Sequence, residues 1–196
     1  MSGPLIFYVR HGQTDWNAAQ RFQGRIDIPL NDTGRTQARR NGKTLAELLG
    51  KAEGFKFISS PLGRSRETME IIRSEMGLSP STYALDESLI EMSYGNLEGT
   101  TQAEMKAQDR DLYYQRKKNK WTFRPEGGEN QEDVLVRIRD WHQTLDPRGQ
   151  YVVAAHGAVG RVVRHLLGGI SVEDAAQFVF PQDKVFKFHN NSEELF

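Results

Sequence analysis

Two short apolar runs in this chain each close on the same dipeptide. Leu5-Ile6-Phe7-Tyr8-Val9 leads into Arg10-His11-Gly12, and Tyr151-Val152-Val153-Ala154-Ala155 leads into His156-Gly157. The residues after the first histidine, Gly12-Gln13-Thr14-Asp15-Trp16-Asn17, add a short amide to the cation and the imidazole. That combination suits an anion. Arg64 and Glu91 extend the set. A guanidinium offers a rigid fork of donors that matches a tetrahedral dianion and keeps its charge at any working pH. The same cations disfavour protonation of a neighbouring imidazole, leaving a neutral nitrogen free to attack phosphorus. His11 is therefore the candidate nucleophile. Its phosphoryl group would be held by Arg10, Arg64, Asn17 and, when protonated, His156. A leaving alkoxide also needs a proton. Glu91 lies in Leu89-Ile90-Glu91-Met92, where apolar surroundings would favour the neutral carboxyl, so that it could act as general acid and then activate water.

Positioning these groups requires strands that end together. A short apolar run closed by a Gly-containing turn reads as a buried parallel strand, and open α/β sheets bind ligands beyond the carboxyl ends of such strands. Phe55-Lys56-Phe57-Ile58 is a further strand, with Ser59-Ser60-Pro61 as a helix start capped by a hydroxyl. Asp32 or Thr33 would cap an earlier helix that Gly50 ends, with Leu45, Leu48 and Leu49 facing the core. Asn130 would cap a helix carrying Val134, Leu135, Ile138, Trp141 and Leu145 on its apolar side. Phe178-Val179-Phe180 and Val185-Phe186-Lys187-Phe188 read as an extended edge segment. Alternating strands and helices predict an α/β fold, three layers with a mostly parallel central sheet. The polar stretch 100–124 would lie over the active site as a cap.

Composition narrows the function further. The 196 residues, 37% apolar and 10% aromatic, describe one globular domain spanning 1–196. Lys plus Arg (26) equals Asp plus Glu (26), so no overall field draws nucleic acid or an anionic membrane. The absence of cysteine excludes disulfides, Cys-based metal sites and thiol nucleophiles. No basic and apolar leader precedes the first strand, and no segment approaches the roughly 20 apolar residues that span a bilayer. The expectation is a cytoplasmic protein acting on a small phosphorylated substrate, with a homodimer left open. A metal held by His11, Asp15 and Glu91 or His156 is disfavoured because two arginines would repel a divalent cation. His142, His165 and His189 have no such setting and read as core or surface histidines. The Lys117-Lys118-Asn119-Lys120 run reads as a solvated face, with contact to substrate charge as the alternative, and Trp121 and Phe123 as packing.

Five blocks now fall in order: Arg10 to Asn17, Ser59 to Thr68, Leu89 to Gly99, Pro125 to Asn130, and Ala155 to Gly157. Together they resemble the signature blocks of the histidine phosphatase superfamily, which includes the cofactor-dependent phosphoglycerate mutases. The resemblance implies phosphorylation at His11, phosphoryl binding by Arg10, Arg64 and His156, proton donation by Glu91, and no metal; no cofactor is expected. Asn17 falls on a phosphate-binding position, and Gln23 and Gly24 line the pocket. Thr14, Tyr94 and Gly157 are added as substrate contacts. The sequence departs from the mutases after Gly99, where Thr100-Thr101 stands in place of Asn-Lys, the segment is short, and Lys117-Lys118 stands where the mutases carry paired arginines. These departures favour hydrolysis, with a phosphoglycerate mutase as the alternative and a non-catalytic phospholigand-binding module as the third reading.

Overall fold

Strands β1 (Leu5–Arg10) and β4 (Gln150–Ala155) run in parallel, paired from Leu5 with Gln150 to Arg10 with Ala155, so both end at the same edge. The computed structural model describes residues 3–196. Around this pair the sheet adds β2 (Phe55–Ser59), β3 (Ala84–Leu85), β5 (Val185–His189) and β6 (Ser192–Leu195) in the order β3-β2-β4-β1-β5-β6. The pairings among β3, β2, β4 and β1 are parallel, while β5 and β6 are antiparallel to their neighbours. The helices are α1 (Asp15–Ala18), α2 (Asp32–Leu49), α3 (Gly63–Glu75), α4 (Gln102–Gln108), α5 (Arg110–Lys118), α6 (Gln131–Thr144), α7 (Gly157–Gly168) and α8 (Val172–Gln177).

Alternate residues of the central strands bury against opposite layers, as the period of two requires. Phe7, Val9, Phe57, Val152 and Ala154 join Leu45 of α2 and Met69 and Ile72 of α3. On the other face, Ile6, Tyr8, Ile58, Val153 and Ala155 join Val134, Ile138 and Trp141 of α6 and Val159, Val162 and Val163 of α7. The fold is thus the expected three-layer α/β arrangement. Asn130 caps α6 in a reciprocal box with Asp133, as its place before the apolar run predicted.

Several local expectations change. Asn31, one residue ahead of the predicted cap, accepts the Gly34 N–H at 2.9 Å and starts α2. The phase of α2 buries Leu45 completely but leaves Leu48 39% exposed, with Leu49 at the margin of the core. Residues 59–61 do not begin α3, whose cap position, Leu62, offers no side-chain acceptor. Residues 178–180 are irregular, and β5 is an interior strand whose outer neighbour β6 forms the edge. The 100–124 stretch contains two short helices, and Met105 of α4 packs with Phe22 and Leu97 in a separate small cluster touched by Tyr94, Leu112, Tyr113 and Phe123.

The phase of α2 can be checked by a pair of truncations. Leu45→Ala empties a sealed site and should cost about 2–5 kcal/mol, whereas Leu48→Ala should change stability by no more than about 0.5 kcal/mol. Urea unfolding midpoints of the two variants would read this directly, and equal losses would contradict the packing described.

Candidate active site

His11 follows the end of β1, and its N–H donates to the Ala155 carbonyl at 2.9 Å, carrying the β1–β4 pairing one residue past the strand. His156 follows the end of β4. The two ring centroids are consequently 5.1 Å apart. Tyr8 fixes the second turn: its hydroxyl donates to the His156 carbonyl at 2.6 Å and accepts the His156 N–H at 3.0 Å. Burial, with Glu91's charge second, raises the Tyr8 phenol well above its ordinary value, so it remains a donor.

The tautomer of His11 follows from its partner. Nδ1 lies 2.8 Å from the Gly12 carbonyl, which can only accept, so Nδ1 carries the proton and Nε2 keeps its lone pair. Burial first, then the charges of Arg64 and Arg10, hold this imidazole well below the ordinary histidine range. His156 is lowered well below that range too, by burial, Arg64, His11 and Arg10 in that order. Burial and these charges disfavour the imidazolium in the free protein, whereas the protonated His156 of the sequence reading belongs to the phosphorylated site. Nε2 of His156 meets the Ser60 hydroxyl at 2.6 Å, and Nδ1 is buried without a partner among the described residues. Ser60, expected to cap a helix, serves this histidine.

The cations take their shortest hydrogen bonds from backbone carbonyls. Arg64, 1% exposed, donates to the carbonyls of Gly24 at 2.7 Å and Ile26 at 2.8 Å, with Asp27 further off at 3.4 Å. Turned with its amide oxygen toward this guanidinium, Gln23 accepts at 3.0 and 3.3 Å and donates to Thr14 Oγ1 at 2.8 Å. Arg10 donates to the Phe180 carbonyl at 2.8 Å, and its Nε is buried and unpartnered among the described residues. Gly157 permits that approach, since a Cβ there would sit 3.3 Å from Arg10 Nε. Gly24 (φ +56) is constrained more severely, because a Cβ would collide with the Glu98 carboxylate. Glu91 is 8% exposed, but its setting is not simply apolar: Oε1 accepts the Met92 N–H at 2.9 Å and Oε2 the Ala158 N–H at 3.3 Å.

A cavity of about 160 Å³ gathers Arg10, His11, Asn17, Gln23, Gly24, Arg64, Glu91, Tyr94 and Gly157. Gly157 and Ala158 bring the N-terminus of α7 to its wall, where the helix dipole favours an anion and His156 at the cap position offers no side-chain acceptor. His156, although its ring is 5.1 Å from that of His11, does not line this cavity, and neither does Thr14. Thr14 instead caps α1, accepting the Asn17 N–H while Asn17 Oδ1 accepts the Thr14 N–H, both at 3.2 Å. Asp15 is exposed and bonded to Asn31 at 3.3 Å, away from the cavity.

The site can be set beside known proteins. The sequence model of the histidine phosphatase superfamily (branch 1) matches residues 6–194. The chain belongs to the histidine phosphatase superfamily. It is 33% identical over 177 residues to a 2,3-bisphosphoglycerate-dependent phosphoglycerate mutase of Azorhizobium caulinodans, covering 86% of this chain and 84% of that one. It is 32% identical over 170 residues to the glucosyl-3-phosphoglycerate phosphatase of Mycobacterium tuberculosis, covering 81% and 73%. The mycobacterial glucosyl-3-phosphoglycerate phosphatase solved in complex with VO3 superimposes with a TM-score of 0.77 at 25% identity, covering 98% of this chain and 96% of that one. The chain is therefore an enzyme of the phosphoglycerate mutase-like group.

Within this histidine phosphatase, further residues shape the site that spacing alone did not reveal. Gln182 donates to the His11 carbonyl at 3.1 Å and Asn17 Oδ1 at 2.9 Å, from a loop 165 residues beyond Asn17. Arg21 and Arg161 line the cavity, Arg21 being paired with Glu104 at 3.0 Å. The Pro125 to Asn130 block supports the Glu91 loop rather than the cavity: Glu129 accepts the Ser93 N–H at 2.9 Å and returns its own N–H to the Ser93 carbonyl at 2.9 Å. Lys117, Lys118 and Asn119 are exposed, while Lys120 faces an adjoining cavity. Trp121 is buried, as expected.

Both active-site histidines should titrate well below pH 6.5 in imidazole NMR of the free enzyme. Because the unfolded chain then takes up protons that the folded one refuses, stability should fall as pH drops below 6.5, by up to about 1.4 kcal/mol per pH unit for each imidazole. Ordinary titration near 6.5 would refute the neutral pair.

Proposed function

We propose that this enzyme is a metal-independent phosphomonoesterase that forms a phosphohistidine at His11 and acts on a small phosphorylated metabolite. The observation that carries this reading is the Nδ1 hydrogen bond of His11 to the Gly12 carbonyl, which leaves a neutral Nε2 beside two guanidiniums. In the first step Nε2 attacks phosphorus, the N–P bond forms as the ester P–O bond breaks, and Glu91 gives a proton to the leaving alkoxide. In the second, water passes a proton to Glu91 as its oxygen attacks phosphorus. The N–P bond then breaks and inorganic phosphate leaves. Arg10, Arg64, Asn17 and the α7 N-terminus hold the phosphoryl oxygens, and preorganised donors of this kind contribute about 2.7–4 kcal/mol each. His156 donates from Nδ1 when Ser60 donates to its Nε2. No proton needs to be added to the ring for that role.

A mutase is the second reading, favoured by the 33% identity to the Azorhizobium enzyme. Hydrolysis is preferred because Thr100-Thr101 is drawn into the start of α4. Thr101 forms a capping box with Glu104, and Arg21 closes over Glu104, so neither threonine faces the catalytic cavity. Phosphorus NMR of the enzyme with 3-phosphoglycerate, a trace of 2,3-bisphosphoglycerate and excess chelator separates the readings. Phosphate without 2-phosphoglycerate is expected, and rapid isomer formation would make the enzyme a mutase.

His11→Ala should lower turnover by at least about 10³-fold without unfolding the protein. Glu91→Gln should cost about 10²–10⁴-fold on alkyl phosphates but less than about tenfold on an aryl phosphate, whose leaving group scarcely needs a proton. Equal losses on both ester types would remove Glu91 from the acid role.

A further inference from the structure

The backbone that carries Glu91 has no regular structure of its own. Residues 90–94 belong to no helix or strand, so no regular hydrogen-bond ladder fixes the proton donor relative to phosphorus. Side chains from other elements grip this loop instead, at its start, middle and end. Arg137 of α6 donates from Nη1 to the Ser88 carbonyl. Arg25 donates from Nε to the carbonyl of Glu91 itself at 3.4 Å. Glu129 holds the far end, accepting the Ser93 N–H at Oε2 and giving its own N–H to the Ser93 carbonyl, both at 2.9 Å.

One carboxylate joins the three grips. Glu129 Oε1 lies 3.1 Å from Arg25 Nη2 and 3.7 Å from Arg137 Nε. The side chains of Glu129 and Arg137 are only 21% and 19% exposed, so solvent screens this pair little. Arg25 comes directly after Gln23 and Gly24, and the Gly24 carbonyl receives Arg64 at 2.7 Å. It therefore ties the loop bearing the acid to the loop that holds a phosphoryl-binding cation. Burial lowers Arg137 from its ordinary value, opposed first by the charge of Glu129 and then by that of Glu91. Without Glu129 the carboxylate left to answer this cation would be Glu91, and a neighbouring cation favours the ionised form, which has no proton to give.

We propose that Glu129 is a positioning residue for the proton donor: by holding Arg25 and Arg137 together it sets the reach from Glu91 to the leaving oxygen. Glu129 does not line the catalytic cavity, so it acts through Glu91 rather than on the substrate. The inference rests on the phosphomonoesterase reading, which gives Glu91 its acid role. Proton transfer needs the donor within hydrogen-bond reach of the oxygen, and a misplacement of about 1 Å can cost on the order of 100-fold. Loss of Glu129 is then felt where the leaving group needs a proton and spared where it departs unaided.

Two variants test this. Glu129→Gln removes the charge but keeps an acceptor for the Ser93 N–H, and Arg25→Met cuts the link from a half-exposed position that the core does not depend on. Each is compared with the unaltered enzyme on glycerol 2-phosphate and on p-nitrophenyl phosphate by kcat/KM, which reports the steps up to departure of the alcohol. The ratio of the alkyl to the aryl value should fall at least fivefold in both variants. A merely structural fault slows both esters alike, and because both are read on one preparation, loss of folded protein cancels from the ratio. A smaller fall in either variant overturns the positioning role. Glu91→Gln on the same two esters separates this outcome from failure of the underlying reading. An unchanged ratio there would remove Glu91 as the acid, whereas a lowered ratio there with an unchanged one in the Glu129 and Arg25 variants strikes the positioning role alone.

Discussion

The site depends on one register. Because β1 and β4 pair in parallel and the His11 N–H reaches the Ala155 carbonyl, two strand ends distant in sequence deliver their imidazoles to one point. A slip of one residue would turn each histidine to the opposite face of the sheet. The Tyr8 hydroxyl secures the arrangement by occupying both backbone groups of His156. It does so from within the core, so packing and active-site geometry share a residue.

Around that register the enzyme gathers two guanidiniums, with Glu91 lining the same cavity and Asp27 at 3.4 Å from Arg64. Arg64 is held by backbone carbonyls, and Arg10 keeps a buried Nε unpartnered among the described residues. Carbonyl dipoles fix a guanidinium without cancelling its charge, so its field remains available to an arriving phosphoryl group. Burial first, and this field second, disfavours protonation of the two histidines, which leaves a lone pair on Nε2 of His11. Stability is given up here for function, since a buried cation and a buried neutral imidazole are both unfavourable until an anion binds.

Much of this was legible in the chain. The two apolar runs closed by His-Gly marked the central strands, because a strand buried on both faces reads as continuous apolar sequence. The Asn130 cap was equally clear, since a short side chain before an apolar helical run has few other uses. The misreadings have local causes. Three successive candidates, Asn31, Asp32 and Thr33, compete to cap α2, and only the backbone conformation chooses among them. Ser60 has the chemistry of a cap, but tertiary packing brings His156 to it first. Thr14 lies in the right block, yet it is buried with its hydroxyl bonded to the Asn17 N–H and the Gln23 side chain.

By itself the sequence determined the fold class and the family, and it named the residues that the fold gathers around one cavity, because these follow from residue type and from patterns a few residues long. Tertiary structure alone decided the tautomer of His11, the burial of His156 and the hydrogen-bond partners of Ser60, Tyr8 and Gln182. Each depends on which groups share a low-dielectric pocket and which hydrogen-bond partner arrives at which atom. Those are properties of distance and burial between segments far apart in the chain, and they come into being only when the layers pack.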